Sequence, residues 1–235
     1  MIVLALDTAG VDCAAAVYDS GSDRVLAEIT ETIGKGHAEH LIALVDRVLE
    51  QAGIDLKAVE RIAVTIGPGS FTGIRVGVAA ARGFALALGI PAVGVTTLSV
   101  IAAAHRREAA GRPILVAMDA KRGEVYLQMF GGDGSPQGEP EAMLVEDARA
   151  LTAAFEGLIG GSAAPLLLAE IEGDVTARGT TNVVPIANGN AIGNAFPIAD
   201  VARLGALMSA VEKPKPLYLR GPDAKPQLGF AVARR

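Results

Sequence analysis

The sequence predicts an α/β protein of two lobes, each a mixed β-sheet with helices packed on it. Three observations lead there. Strand-like and helix-like runs alternate through the first hundred residues, and a strand–turn–strand unit echoing the N-terminal one returns at residues 114–130. The third is composition: the 235 residues are 51% hydrophobic and 20% charged but only 4% aromatic, with no Trp. Ala, Val, Leu and Ile must therefore fill the interior, which suits helices layered on sheets. The length allows two lobes of roughly 100–120 residues each.

Taken in order, residues 1–7 and 13–19 are apolar runs joined by Thr8-Ala9-Gly10-Val11-Asp12, which reads as a β-hairpin. Residues 25–32 alternate and make a third strand. After Gly34-Lys35-Gly36, the residues Leu41, Leu44, Val45, Val48, Leu49 and Ala52 recur at helical spacing, and Gly53 ends that helix. Residues 62–66 form an apolar strand. A glycine-rich turn with Pro68 leads into a helix over residues 71–88, with Ser70 and Thr72 as candidate caps. Residues 83–104 carry no charged side chain and are long enough to cross a bilayer. Gly89-Ile90-Pro91 interrupts them, however, and Thr96-Thr97 can cap a new helix, so helix, strand and helix is the expected division.

The second half opens with strands at 114–120 and 124–130 around Gly123. The echo of ALDTAG…AAAVYD in AMDAKRGEVYLQMF suggests a repeated plan, the architecture of the actin and sugar-kinase superfamily. Residues 131–136 read as a loop and 145–156 as a helix. Gly160-Gly161-Ser162 and the surroundings of Asn188 are turn-rich, 199–212 is a helix, and the Pro-punctuated tail KPKPLYLRGPDAKPQ is extended. The expected division is an N-terminal lobe at 1–108 and a C-terminal lobe at 109–235, with helix 199–212 packing back on the first.

The net charge of -5 argues against a chain that holds RNA by itself, because phosphate binders draw affinity from a basic face. The short clusters His105-Arg106-Arg107 and Arg234-Arg235 do not alter this. A single cysteine, Cys13, precludes an internal disulfide and points to a reducing, cytoplasmic setting. The opening MIVLALDTAG has no basic stretch and is broken by Asp7, so no secretory leader is expected.

Several residues invite chemistry. The loop from Gly67 to Gly73 lies between a strand and a helix, a natural anion site, yet it lacks the Gly-Lys-Ser/Thr ending of a phosphate loop and the GxGxxG spacing. Asp7, Thr8, Gly69, Ser70 and Asp119 are the candidate nucleotide-binding set, Asp7 and Asp119 standing at strand ends where this superfamily holds phosphate and magnesium. Lys121 and Glu124 are placed to pair across their turn. His37 and His40 stand three apart, whereas the zinc-peptidase pattern HExxH needs four, so no metal site is expected. Three His and one Cys assemble no nucleophilic triad. In the helix at 71–88, Gly73, Gly77 and Ala80-Ala81 form a nearly smooth strip beside an apolar stripe of Ile74, Val78, Ala81, Ala85 and Leu88. A helix so apolar all round is covered on more than one side, by its own lobe or by another protein; the spacing leaves both open.

LALDTA (4–9), His37, GPGSFTGIRVG (67–77), GIPAVGVTTL (89–98), MDAKRGEVY (118–126) and PLYLRGPDAKP (216–226) together resemble the TsaB (YeaZ) family in order along nearly the whole chain. The match weakens between about 131 and 195. The resemblance implies a two-lobed actin-like fold without enzymatic activity of its own. It implies binding to the related TsaD subunit, which carries the metal and transfers the threonylcarbamoyl group to tRNA adenosine, with a small ATPase, TsaE, also joining. Alone, such a protein pairs as a homodimer, and it meets tRNA only through the complex. The first two helices form the pairing surface, and His37, Leu41, Leu44, Val45, Val48, Thr72, Gly73, Arg75, Val76, Gly77 and Ala80 are the expected interface residues. No cofactor is implied beyond weak ATP or ADP binding at a lobe or subunit interface. The HxxxH pair of TsaD does not transfer, since here the spacing is His37-x-x-His40 at another place. The alternative is an enzyme, an actin-like ATPase or a metallopeptidase of the M22 type.

Overall fold

The computed structural model describes residues 1–168 and 196–220. Two sheets organise the chain. The first contains β1 (Ile2–Asp7), β2 (Asp12–Asp19), β3 (Arg24–Thr32), β4 (Arg61–Gly67) and β5 (Ala92–Thr96) in the order β3-β2-β1-β4-β5. The second contains β6 (Ile114–Lys121), β7 (Glu124–Phe130), β8 (Pro136–Leu144) and β9 (Leu158–Gly160) in the order β8-β7-β6-β9. The echo seen in the sequence is a repeat of topology. In each sheet a hairpin and a third antiparallel strand lie on one side of the first strand, and a parallel strand lies on the other.

The helices are α1 (His37–Ala52), α2 (Phe71–Leu88), α3 (Thr97–Ala109), α4 (Val145–Ala153), α5 (Ala164–Leu168) and α6 (Ile198–Leu207). Strand alternation sorts the first sheet into two faces. Leu4, Leu6, Cys13, Ala15, Ile62 and Val64 point to α1 and α2, where Leu41, Leu44, Val45, Val48, Ile74 and Val78 meet them. Val3, Ala5, Ala14, Ala63 and Val93 point the other way, to Val201 and Ala202 of α6. Helix α3 lays Leu98, Ile101 and Ala102 on Ile114, Val116 and Met118 of the second sheet, and α4 and α5 cover that sheet's opposite face. The chain thus crosses over: α3 follows the first sheet and packs on the second, while α6 comes late and packs on the first.

Helix ends follow the expected chemistry. The Ser70 hydroxyl accepts the Gly73 N–H, the Thr96 hydroxyl accepts the Ser99 N–H, and Gly53 and Gly89 close α1 and α2 in the left-handed conformation. Residues 83–104 divide as expected into the end of α2, then β5, then most of α3. Among the described residues α2 is the one helix long and apolar enough to cross a membrane, and it lies as a layer on β4 and β1.

Three expectations need correction. The helix placed at 199–212 stops at Leu207, where Arg61 binds the carbonyls of Gly205, Ala206 and Met208. The helix read at 145–156 ends at Ala153, and strands β8 and β9 and helix α5 stand in stretches the sequence left largely unassigned. Lys121 and Glu124 do not pair through their side chains: Lys121 Nζ reaches Asp119 Oδ2 at 2.6 Å, and Glu124 binds Arg220. The glycine- and asparagine-rich stretch around Asn188, and the tail beyond Arg220 with the rest of PLYLRGPDAKP, lie outside the described residues.

Candidate partner-docking face

The end of β1 is where a phosphate site was expected, and hydrogen bonds already fill it. Asp7 is buried, and its carboxylate accepts the Ala9 N–H at 3.0 Å and the Thr65 hydroxyl. Burial pushes its pKa up, against the lowering effect of those two bonds. Thr8 Oγ1 donates to the Gly73 carbonyl at 2.7 Å, and the Ser70 N–H donates to the Ala9 carbonyl at 2.7 Å. The glycines permit this contact: a Cβ on Gly73 would stand 2.0 Å from the Thr8 carbonyl oxygen, and one on Gly69 2.3 Å from that of Ala9. Of the nucleotide set, Asp7, Thr8, Gly69 and Ser70 therefore gather in one place, bound to each other. Asp119 stands at the equivalent end of β6 in the second sheet. It accepts both the backbone N–H and the ammonium of Lys121, and these bonds hold its carboxyl below the usual range.

The small-residue strip of α2 has its cover from its own chain. Gly77 lies against Thr8 and Val64, where an added Cβ would meet Thr8 Oγ1 at 2.6 Å. Much of the expected interface set is buried within the single chain. His37, Leu41, Leu44, Val45, Val48, Gly73 and Gly77 all face the chain's own interior. His37 has Nε2 3.1 Å from the Asp12 carbonyl. The reason is amphipathicity: periodicity marks the buried face of a helix first. Thr72 and Arg75 are exposed, and Val76 and Ala80 are half-buried.

The surface left open by α1 and α2, which pack side by side, carries different residues. On α1 it presents Glu39, Ile42, Asp46 and Glu50; on α2 it presents Phe71, Arg75, Ala79, Arg82 and Leu86. Ile42 is 50% exposed, Phe71 53% and Leu86 82%. One sequence signal for them existed: each is a large apolar residue standing off its helix's core stripe. Tyr218 also stands here, far away in sequence, with its ring centroid 5.3 Å from that of Phe71. Nothing in the sequence pattern brings it to α2.

Cys13 is wholly buried, and burial pushes its thiol up to about 11, which leaves it protonated and unreactive. Among the described residues, no three His, Cys, Asp or Glu side chains cluster closely enough to hold a metal ion.

Residues 24–202 match the family described as TsaD: tRNA N6-adenosine threonylcarbamoyltransferase. The chain belongs to that family, on its TsaB (YeaZ) side. The tRNA threonylcarbamoyladenosine biosynthesis protein TsaB of Escherichia coli strain K12 is 34% identical over 133 residues, 57% of this chain and 56% of that one. The protein of the same name from Buchnera aphidicola subsp. Schizaphis graminum is 38% identical over 125 residues, 53% and 58% of the two chains. The chain thus spans about half the length of the curated relatives it matches. The solved structure of YeaZ from Pseudomonas aeruginosa aligns with a TM-score of 0.70 at 26% identity, covering 93% of this chain and 99% of that one. Another structure, of an uncharacterized protein with similarity to peptidase YEAZ from the same organism, gives 0.71 at 27% identity over the same shares. A ROK hexokinase from Thermus thermophilus, at TM-score 0.50 and 16% identity, covering 88% of this chain and 99% of that one, shares the fold alone. The family fold is the actin-like one, two mixed sheets with helices, as the motifs implied.

Proposed function

We propose that this chain is a non-catalytic partner subunit in the synthesis of threonylcarbamoyladenosine on tRNA, acting by docking its α1–α2 face on a TsaD-type subunit. The observation that carries the reading is the exposed face itself. Ile42, Phe71 and Leu86 stand in solvent on two adjacent helices, with acids on α1 and arginines on α2. Large apolar side chains grouped on helices and rimmed by charge are what a protein interface buries. The names of the relatives supply the pathway, and the net charge of -5 supports contact with tRNA through the complex. A TsaE-type ATPase joins the same assembly in this proposal, and the lone chain pairs with a second copy through the same face. Any ATP or ADP binds weakly, at a lobe or subunit interface.

The enzyme alternative has less support. A carboxylate that holds magnesium and phosphate must be ionised and reachable, whereas Asp7 is buried, shifted toward its neutral form and bonded to Thr65. The Ser70 N–H at the start of α2 is spent on Ala9.

The test is sedimentation of the chain mixed with the TsaD-type subunit of its own organism. One heteromeric species is expected. The double substitution Ile42→Asp and Leu86→Asp should weaken it by about tenfold or more with unchanged melting, since both side chains already stand in water. Gly77→Arg would be a poor probe, because it strikes Thr8 and Val64 and disturbs the fold. Separate species at micromolar concentration would end the proposal.

A further inference from the structure

Between α6 and the end of the described chain, a strap runs over the β4–β5 end of the first sheet. Pro214 lies against Gly94 of edge strand β5, and the Leu217 N–H donates to the Ile66 carbonyl at 2.8 Å. Two prolines in this strap, Pro214 and Pro216, lack the backbone N–H that would let it join a ladder. The strap then brings Tyr218 over α2. Its hydroxyl accepts from Arg75 Nε at 2.7 Å, while the Arg75 guanidinium lies 3.7 Å from the centre of the Phe71 ring.

An open groove of about 340 Å³ remains between strap and helix, lined by Arg75, Val78, Ala79, Arg82 and Pro216. Its two cations are seven residues apart, on one side of α2 and about 10 Å from each other along the axis. Neither has an acidic partner among the described residues. Helix α2 contains no Asp or Glu. Arg82 has no hydrogen-bond or ion-pair partner among the described residues, and Arg75 is held by two aromatic rings that bring no negative charge. Tyr218 engages only Nε, so among the described residues the terminal nitrogens of Arg75 have no partner, on a side chain whose direction is already set. That is the form in which guanidinium receives a carboxylate through paired hydrogen bonds.

We propose that this groove seats an Asp or Glu side chain projecting from an apolar surface of the docking protein, received by Arg75 and Arg82, with Tyr218 positioning Arg75. The inference rests on the docking face proposed above and names the chemistry of its partner. Two arguments favour a single carboxylate over a nucleic acid. The cations are flanked by Phe71, Ala79 and Leu86, which match apolar protein surface, and a chain of net charge -5 repels a polyanion at range.

The experiment is calorimetric titration of the full chain with the TsaD-type subunit at low and high salt, each variant being checked first for unchanged melting. Arg82→Glu should weaken binding by about tenfold or more and flatten its salt dependence, while Arg82→Lys costs less. Tyr218→Phe keeps the ring, frees Arg75, and should cost about threefold. Reversing the facing acid of the partner to Arg should restore binding to the Arg82→Glu chain. An Arg82→Glu chain that binds as wild type with the same salt slope overturns the inference and leaves the docking face standing. A wild-type chain that does not bind ends both. A loss confined to tRNA binding or to self-association assigns the groove to another occupant and overturns it as well.

Discussion

Gly73 and Gly83 belong to the same helix, and a methyl group added at each meets opposite surroundings. At Gly73 the new carbon would stand 2.0 Å from the Thr8 carbonyl oxygen, and backbone on both sides leaves little room to relax. At Gly83 nothing lies within 4 Å, so alanine brings only its helix preference. Gly73→Ala should therefore lose about 1–3 kcal/mol of stability or more, and Gly83→Ala should gain about 0.5–1 kcal/mol. Urea melts of the two variants check this, and equal stabilities would show that α2 does not press on the β1–β2 turn. The residue scale also shows what helix spacing reports. The spacing of Leu41, Leu44, Val45 and Val48 was legible and correct as a helix pattern, but the pattern reports burial. Ile42 and Leu86 fall outside that stripe and stay exposed.

At the scale of elements, α2 is the clearest case of a structure written locally. Ser70 caps it, Gly89 closes it, and its span matches the expected one. Helix α6 shows the opposite. Its end is set by Arg61, 144 positions away from Gly205, whose Nη1 donates to three carbonyls while its Nε is buried with no partner. A cation at a helix C-terminus satisfies groups that would otherwise be stranded. Arg61→Met keeps the stem and removes the clamp, so it should cost about 1–3 kcal/mol and speed amide exchange in the last turn of α6. Unchanged exchange there would assign the helix end to its own sequence. Strand β8 went unseen for a related reason: PQGEPEAML has no alternation of apolar residues, and it is an edge strand, mostly exposed, ordered by its pairing with β7.

For the whole molecule, the crossing of α3 and α6 is decisive. Val3, Ala5, Ala63 and Val93 on the rear of the first sheet are sealed by Ile198, Val201 and Ala202, and Gly205 lets α6 come so close that a Cβ there would be 2.3 Å from that of Ala63. The first lobe is thus closed by a helix supplied late in the chain. A chain ending at residue 195 should lose its cooperative melting transition and bind a hydrophobic dye, because that apolar face would stand in water. A truncated chain that melts as sharply as the full one would show that α6 is dispensable.

Residue order alone was enough for the α/β class, the repeated hairpin-led plan, the strands and helices through residue 109, and the family, because periodicity, caps and glycine punctuation act over a few residues. Only the tertiary structure decided where α6 ends and that Tyr218 meets Arg75. Those outcomes depend on contacts between positions more than a hundred residues apart, and such contacts leave no local trace in the order of side chains.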